Sequence, residues 1–344
     1  MNLLIFEYAT ASGFNDPSLL AEGQAMLEGL LEDFQDFKIH YLISEKFLTQ
    51  EYLEKWKSAQ PIILKEGLRQ WITKNISAYD GCLFIAAEED MELYELTCIM
   101  EDKGVQVYGS TSQAVLNCSD KFKTYSILKN HFPVINTYKL ILEDFKCPEN
   151  QEKYALLVKD KKMVLKPADG VACQGINIVY SFEDLKNAVE SLNTFLPYAL
   201  LQDFVEGESC SVSLLSTGDK AIPLTLNRQK IEFIGNGMEY QGAEVPWEHE
   251  LSKEALEVAK KAVESVDGLK GYVGIDLILN NQVHILEINS RLTTPFVAIR
   301  KISSVNMGHA IIDAVKGILP EDLNCKGKIL LEKSGHNLII KNQN

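Results

Sequence analysis

The sequence has little of what marks several large classes of protein. Its seven cysteines are odd in number and show no Cys-x-x-Cys spacing, which argues against a disulfide framework or a zinc site and indicates free thiols. No apolar run approaches the roughly 20 residues needed to span a bilayer. The first apolar run is too short for a signal peptide and has no basic leader. We therefore predict a soluble, cytoplasmic protein with no membrane partner.

Positive charge is also scarce. The 344 residues include 34 Lys and Arg against 48 Asp and Glu, a formal net charge of −14. A nucleic-acid surface needs a basic stripe, so we expect no nucleic-acid partner. The length predicts about two domains, or one enzyme built of sub-domains. The few basic residues can still converge on one cleft and bind an anionic ligand.

The first third of the chain alternates between strand and helix patterns. Short apolar runs indicate buried strands at 2–6, 38–43, 81–87 and 105–109. A loop that contains Asn15 leads into a predicted helix at 18–31, and an acidic helix is predicted at 88–103. This βαβ rhythm predicts a small parallel α/β domain over residues 1–112.

The rest of the chain divides into two further parts. In residues 113–198, Ser119 is a favourable N-cap for a helix that is predicted to run to about Asn130. That part has predicted strands at 134–142, 154–158, 163–166 and 176–180 and a helix at 181–192. Residues 199–344 are rich in predicted strands, at 199–204, 210–215, 221–228, 271–279 and 282–288, with helices at 252–266 and 308–318.

Two neighbouring predicted strands carry oxygen-bearing side chains. Asp276 lies on the polar face of its strand, and Glu287 and Asn289 share a face because they are two residues apart, with Leu286 on the other face. A turn over 280–283 would place Asp276 opposite Glu287, a two-residue loop would make them diagonal neighbours, and an odd slip would separate them. These ligands suit Mg²⁺ or Mn²⁺ held together with substrate phosphates. An ordinary solvated sheet face is the alternative.

Several basic residues and glycines could serve a phosphate-bearing ligand. Lys166 ends an apolar strand, and the following loop carries Gly170 and Gly175; such a hairpin can close its N–H groups over phosphates. No Lys-Ser/Thr pair and no helix follow, which makes a P-loop an unfavourable interpretation. Lys121 lies in the first turn of a predicted helix, where the helix dipole disfavours a cation, and Arg291 follows the predicted metal ligands. A plain hairpin and solvated cations are the alternatives.

The strand that begins near Leu200 runs into an acidic turn. The backbone of Gln202, Asp203, Phe204 and Val205 could pair with an adenine edge, and Glu208 could accept hydrogen bonds from ribose hydroxyls. A plain strand end with acidic surface residues is the alternative.

In this order the segments resemble the ATP-grasp superfamily, and the resemblance covers almost the whole chain. The matching pieces are Lys121, Val164–Pro167, the Gly170–Gly175 loop, Gln202–Glu208, Gly274–Asp276 and Glu287–Arg291. The resemblance implies an ATP-grasp architecture: an N-terminal parallel α/β domain, a small lid over residues 113–198 and a C-terminal antiparallel-sheet domain. Ser290 stands where the family commonly has proline, and the phosphate loop is poorer in Gly and Ser than usual.

The resemblance also implies roles for the candidate site residues. Lys121 and Lys166 would bind the phosphates of the co-substrate ATP, together with the loop glycines Gly170 and Gly175. Adenine would be read by the backbone from Gln202 to Val205, with Glu208 on the ribose. Two metal ions, Mg²⁺ or Mn²⁺, would lie between Asp276, Glu287 and Asn289.

At finer grain, four segments look like the tyramine–L-glutamate ligases of methanofuran biosynthesis. They are Phe6–Gly13, Leu226–Gln229, Tyr240–Ala243 and Arg291–Pro295. These ligases join the γ-carboxylate of L-glutamate to the amine of tyramine. The implied chemistry passes through an acyl phosphate, with charge neutralised by the metal, Lys121, Lys166, Arg291 and Arg228. Another carboxylate–amine ligase of this fold, a kinase and an ATP-binding homologue without turnover are the alternatives.

Two further expectations concern partners. An oligomer is possible. Glu7, Tyr8, Ser12 and Gly13 are candidates for contacts with the small-molecule substrates, because they follow the first strand at the carboxyl end of a parallel sheet, where ligands bind.

Overall fold

The computed structural model describes residues 2–14, 16–170, 173–335 and 337–343. The predicted loop residue Asn15, and Val171 and Ala172 of the predicted phosphate loop, lie outside the described residues. In the described ranges, no helix is both long enough and apolar enough to cross a bilayer.

The first part of the chain forms a five-stranded parallel sheet. Its strands are β1 Leu3–Glu7, β2 Ile39–Ser44, β3 Ala59–Leu64, β4 Gly81–Ile85 and β5 Gln106–Val107, in the order β3-β2-β1-β4-β5. Leu3 and Ile5 pack in one apolar cluster and Leu4 and Phe6 in another, because successive side chains of a strand point to opposite faces. Both faces of β1 are therefore covered, and the predicted parallel α/β architecture is confirmed.

Helices connect these strands. They are α1 Tyr8–Ser12, α2 Pro17–Asp33, α3 Gln50–Lys55, α4 Leu68–Asn75 and α5 Glu92–Asp102. The acidic helix predicted to begin at residue 88 begins at Glu92, because Asp90 and Met91 adopt left-handed backbone with φ of 52° and 60°. Strand β3 and helices α3 and α4 were not predicted.

The rest of the chain builds an eleven-stranded sheet. Its strands are β6 Thr137–Ile141, β7 Met163–Pro167, β8 Asn177–Val179, β9 Tyr198–Asp203, β10 Glu208–Thr217, β11 Ala221–Ile234, β12 Gly237–Val245, β13 Lys270–Leu279, β14 Val283–Asn289, β15 Lys328–Ser334 and β16 Asn337–Gln343. The main order is β14-β13-β10-β11-β12-β8-β7-β9-β6, and β15 pairs with both β12 and β16. The pairings between these strands are antiparallel, as predicted for residues 199–344.

The helices of this region are α6 Ser112–Ser119, α7 Lys121–Leu128, α8 Leu142–Phe145, α9 Pro148–Val158, α10 Phe182–Glu190, α11 Ser252–Glu264, α12 Phe296–Ile302 and α13 Met307–Val315.

Two local predictions in this region were wrong. Ser119 ends α6, and Asp120 caps α7 by accepting hydrogen bonds from the N–H groups of Phe122 at 3.0 Å and Lys123 at 3.2 Å. Residues 154–158 form the end of α9 and not a strand, since Tyr154 and Val158 are buried four residues apart on one helix face.

The strand order decides which segments meet around the site. Strand β9, which spans the predicted division at residue 198, pairs with β6 and β7, which precede that division. At the other end, the unpredicted β12 pairs with β15 of the C-terminal hairpin, β15–β16. The division into residues 1–112, 113–198 and 199–344 stays a prediction.

Candidate active site

The β13–β14 hairpin places the predicted metal ligands side by side. Asp276 pairs directly with Glu287, and Gly274 pairs with Asn289. The loop has three residues, since Leu279 pairs with Val283, and the register shifts by one residue before Asp276 is reached. The extra residue of this β-bulge is Leu286. A three-residue loop alone would pair Asp276 with Leu286, and the bulge moves the pairing to Glu287.

This bulge corrects one prediction. Leu286 was expected on the face opposite Glu287, but it lines the same cavity as Glu287. On β13 the alternation holds as predicted: Val273, Ile275, Leu277 and Leu279 are all buried in one apolar cluster. Burial of that face fixes Asp276 on the other one, toward the cavity.

Hydrogen bonds orient the Asp276 carboxylate. Gln229 Nε2 donates to Oδ1 at 2.9 Å, and Asn289 Nδ2 donates to Oδ2 at 3.1 Å, which leaves the Asn289 amide oxygen available as a ligand. Burial and the neighbouring Glu287 raise the pKa of Asp276 to about 7. A cation beside Asp276 would offset both effects and favour the ionised carboxylate.

Two lysines approach Glu287 from different elements. Lys121 Nζ lies 3.3 Å and Lys166 Nζ 4.0 Å from Glu287 Oε2. Burial acts to raise the pKa of Glu287, but the two ammonium groups outweigh it and hold that pKa below its usual value. Burial likewise works against the charge of Lys121, but Glu287 and Glu88 outweigh it and raise the pKa of Lys121. Burial lowers the pKa of Lys166, and Lys121 adds to that effect.

The residues present fit a divalent cation that is shared with a phosphate-bearing ligand. The described residues contain no group of three or more His, Cys, Asp or Glu side chains placed to enclose a metal ion. Asp276, Glu287 and the Asn289 amide instead offer a partial set of hard oxygen ligands. Such a set suits Mg²⁺ or Mn²⁺, which commonly take the rest of their shell from water and substrate phosphates.

The predicted adenine-reading segment lines the same cavity. The N–H groups of Asp203 and Phe204 already donate to the carbonyls of Asn136 at 3.0 Å and Lys162 at 3.2 Å. Within the described ranges, the Val205 N–H has no hydrogen-bond partner, so it is the donor of this segment that is left for a ligand. The Gln202 side chain is buried and donates to Thr137 Oγ1 at 2.8 Å, which makes its observed role structural.

The glycine loop rests on Pro167 and contacts Lys121. The Gly170 carbonyl accepts a hydrogen bond from Lys121 Nζ at 2.6 Å, and Gly170 lines the cavity. Gly175 has a left-handed φ of 69°, and a Cβ there would lie 2.9 Å from Pro167 Cγ, so glycine is required for this turn. Cys173 and Gln174 line the cavity, which gives the loop a place on the wall near the lysines.

Arg291 connects the hairpin to the N-terminal sheet. Its Nε donates to Glu88 Oε2 at 2.7 Å, and its Nη1 donates to the Leu292 carbonyl at 3.0 Å. Glu88 is 3% exposed and follows β4 at the carboxyl end of the parallel sheet. Arg291 lines the cavity, so its guanidinium is held in place by an anion that is itself buried.

Three residues of the predicted catalytic and ATP-binding set, Gly175, Glu208 and Arg228, do not line the cavity in the described part of the chain. Arg228 Nη2 lies 2.8 Å from Glu208 Oε2, and the two side chains are 44% and 46% exposed. Neither Glu208 nor Arg228 is among the cavity-lining residues in the described part of the chain, whereas Glu206 is. Arg228 Nε also donates to Oε2, at 2.9 Å, so the ion pair occupies one of the two Glu208 carboxylate oxygens.

The cavity has a volume of about 850 Å³ and two chemically different walls. Strands β7 and β9 and the hairpin form one wall, with Lys121, Lys166 and the metal ligands. The N-terminal domain forms the other, with Glu7, Tyr8, Glu22 and Met26. Of the four predicted substrate-contact residues, Glu7 and Tyr8 line the cavity, whereas Ser12 and Gly13 do not.

Sequence reasoning missed Gln229 and Glu88. Gln229 lies in a segment that carries the resemblance, but its bond to Asp276 depends on the pairing of β11 with β10 and of β10 with β13. The position of Glu88, three residues after a buried strand of a parallel sheet, was a usable signal, since ligands bind at that end.

Comparisons with known proteins show which family the chain is similar to. The ATP-grasp domain family matches residues 118–295. The chain is 35% identical over 303 residues to a tyramine–L-glutamate ligase of Methanocaldococcus fervens, covering 87% of this chain and 89% of that relative. The same enzyme of Methanocaldococcus jannaschii is 32% identical over 305 residues, covering 87% and 84%.

A solved structure from Archaeoglobus fulgidus, described as an ATP-grasp superfamily protein, superposes with a TM-score of 0.72 at 26% identity and covers 100% of both chains. The described fold therefore agrees over its whole length with the ATP-grasp architecture.

Proposed function

Because this chain belongs to the ATP-grasp family and is an ATP-dependent carbon–nitrogen ligase, we propose that it joins the γ-carboxylate of L-glutamate to the amine of tyramine. ADP and phosphate would be the other products. The observation that supports the phosphoryl-transfer part is the buried convergence of Lys121, Lys166 and Glu287 beside Asp276. The names of the two relatives support the choice of acid and amine.

The proposed reaction has two steps. An oxygen of the γ-carboxylate attacks the γ-phosphorus of ATP, the bond from that phosphorus to the β,γ-bridging oxygen breaks, and ADP leaves. The amine nitrogen then attacks the acyl carbon, the carbon–oxygen bond to phosphate breaks, and the nitrogen loses a proton to a phosphate oxygen. No side chain needs to act as a nucleophile.

Positioning and charge neutralisation carry both steps. Lys121 and Lys166 neutralise the phosphates of ATP. Both ammonium groups lie near the same Glu287 oxygen, and the phosphates give them further anionic partners. Arg291, fixed by Glu88, stabilises negative charge that develops at the acyl carbon's oxygen. When bound by Asp276, Glu287 and Asn289, Mg²⁺ or Mn²⁺ ions would supply further charge neutralisation at the transferred phosphoryl group.

The adenine of ATP would lie against Phe204 and accept a hydrogen bond from the Val205 N–H. Lys162 Nζ lies 3.5 Å from the centroid of the Phe204 ring and lines the cavity, so this end also carries a positive charge. The N-terminal wall is then left for the acid and the amine.

The test is a substrate-dependence assay. The protein is incubated with MgATP, L-glutamate and tyramine, and ADP, phosphate and the condensed product are quantified by mass spectrometry. We expect repeated turnover, with ADP accumulating beyond one per protein, only when both the acid and the amine are present, because the first step alone can form ADP only once per site. Phosphate release that does not depend on tyramine would contradict this choice of amine, and a stable phosphorylated product would indicate a kinase.

Variants test the metal ligands separately. Asp276→Asn and Glu287→Gln are expected to abolish product formation, whereas the exposed turn substitution Asp219→Asn serves as the matched control and should leave it unchanged. Full activity of either hairpin variant would contradict the assignment of that residue.

A further inference from the structure

Four residues, from one helix, two strands and one turn, meet at the N-terminal side of the cavity. Glu22 of α2 accepts a hydrogen bond from Thr294 Oγ1 and forms an ion pair with Lys333 of the C-terminal strand β15. Lys333 Nζ lies 5.0 Å from the centroid of the Tyr240 ring on β12. The ion pair is nearly buried, since the Lys333 and Glu22 side chains are 12% and 11% exposed.

Two members of this group, Tyr240 and Glu22, have hydrogen-bonding capacity that their neighbours do not use. The Tyr240 hydroxyl is buried and, in the parts of the chain that the structure describes, has no hydrogen-bond partner, which is costly for a phenol unless a ligand satisfies it. A carboxylate offers about four acceptor positions, and Thr294 and Lys333 use two of those on Glu22. Both Glu22 and Tyr240 line the cavity and both lie next to Lys333, so the same part of the wall offers an acceptor and a donor.

The adjacent charges connect this group to the reaction centre. Arg291 lies within electrostatic reach of Glu22, and Asp276 lies within reach of Tyr240. A ligand that bridges the two places needs a head group with one cationic and one anionic end, and a carboxylate some carbons away. An α-amino acid with a carboxylate side chain has this pattern.

We infer that Glu22 accepts the α-ammonium and Tyr240 donates to the α-carboxylate of an acidic amino acid, with Lys333 as the residue that positions Glu22. This inference rests on the proposed function, and it explains regiochemistry: the α-carboxylate is occupied by Tyr240, so the distal carboxylate is the one presented to Arg291 and the phosphoryl group. It also gives the C-terminal hairpin a role, which is to deliver Lys333 behind Glu22.

Donor analogues test the two contacts one at a time. Glutarate lacks the ammonium of glutamate, and 4-aminobutyrate lacks the α-carboxylate. We expect the wild-type protein to prefer glutamate over each in kcat/KM by roughly ten- to hundredfold, the size of a charged hydrogen bond.

Single substitutions should erase one preference each. Tyr240→Phe should abolish the preference over 4-aminobutyrate and keep the preference over glutarate, and Glu22→Gln should do the reverse. Tyr240→Phe should also keep the wild-type melting temperature, because the hydroxyl it removes has no partner among the described residues. Unchanged preferences in both variants would overturn the inference.

For Lys333 the measurement must distinguish a positioning role from a purely structural one, so KM for glutamate is compared with kcat and with KM for ATP. Lys333→Met should raise KM for glutamate more than it lowers kcat and leave KM for ATP unchanged, and Lys333→Arg should restore it in part. Lys341→Met is the matched control, since Lys341 lies in the same hairpin and pairs with Glu332, not with Glu22. An equal effect of both Met variants would contradict a positioning role.

The proposed function and this inference can fail separately. If the wild-type protein forms product but the variants keep both preferences, only the inference fails. If no product forms with glutamate and tyramine, the proposed function fails, and calorimetric titration of the common L-amino acids into the protein with MgADP decides the inference. Binding of an amino acid that Tyr240→Phe weakens supports it, and no binding overturns it.

Discussion

The buried carboxyl of Glu7 should make stability depend on pH in a direction opposite to that of most carboxylates. Glu7 ends β1, is 6% exposed and accepts hydrogen bonds from the N–H groups of Ala9 and Thr10, each at 2.9 Å. Burial outweighs these bonds and the Arg291 charge and raises the pKa of Glu7 from 4.5 to about 7. Helix α2 presses on the carboxyl at Gly23, where a Cβ would collide with it.

The sign follows from proton binding. Between pH 4.5 and 7 the folded protein keeps the proton on Glu7 and the unfolded chain does not, so the free energy of unfolding falls as pH rises. The contribution amounts to about 3 kcal/mol over the whole window and about 2 kcal/mol between pH 5.5 and 8. Glu7→Gln stays neutral and should lack this dependence.

The assay is urea unfolding of the wild type and Glu7→Gln at several pH values. Fluorescence of Trp56 and Trp71, which pack against the clusters on either side of the N-terminal sheet, reports on the region around Glu7. The free energy of unfolding of Glu7→Gln should rise relative to that of the wild type as pH rises. Glu143→Gln, whose side chain is 85% exposed, is the control without such a dependence. A constant difference between Glu7→Gln and the wild type over the whole pH range would refute the reasoning.

Three further substitutions test the site and its scaffold. Gln229→Leu removes a hydrogen bond to Asp276, so the metal concentration for half-maximal activity should rise roughly 10- to 100-fold, and an unchanged metal titration would contradict this. Asp120→Ala should lower the free energy of unfolding in urea by at least about 1–2 kcal/mol, because it removes both the cap of α7 and the buried acceptor of the Tyr198 hydroxyl, while Ser119→Ala should change it little. Leu277→Ala should cost about 2–5 kcal/mol of stability, because Leu277 is fully buried under the hairpin, and a loss below 1 kcal/mol would argue against that packing.

Periodicity predicted the elements that have one buried face. The alternation of β13 placed Asp276 away from Ile275 and Leu277, and the structure agrees. It could not foresee the bulge at Leu286, because a bulge is set by how two strands pair and not by the pattern of either. The strand predicted at 154–158 failed for a related reason: a short apolar run fits either period, and here Tyr154 and Val158 pack on one helix face.

Long-range contacts account for the parts of the site that sequence reasoning missed. Glu22 and Lys333 are far apart in the chain, and no pattern in either segment predicts their ion pair. Glu208 was assigned to ribose from its position after a strand, but a strand position does not reveal that Arg228 on the next strand engages its carboxylate. The sequence could predict the position of a residue on its own strand, such as Glu287. It could not predict the partners that another element supplies.

Transfer of labelled oxygen tests the central claim most directly. L-Glutamate carrying ¹⁸O in its γ-carboxylate is incubated with the protein, MgATP and tyramine, and the released phosphate is analysed by mass spectrometry. An acyl phosphate requires that one labelled oxygen leave with the phosphate and the other stay in the amide. Released phosphate without label, formed together with amide, would contradict the acyl-phosphate account.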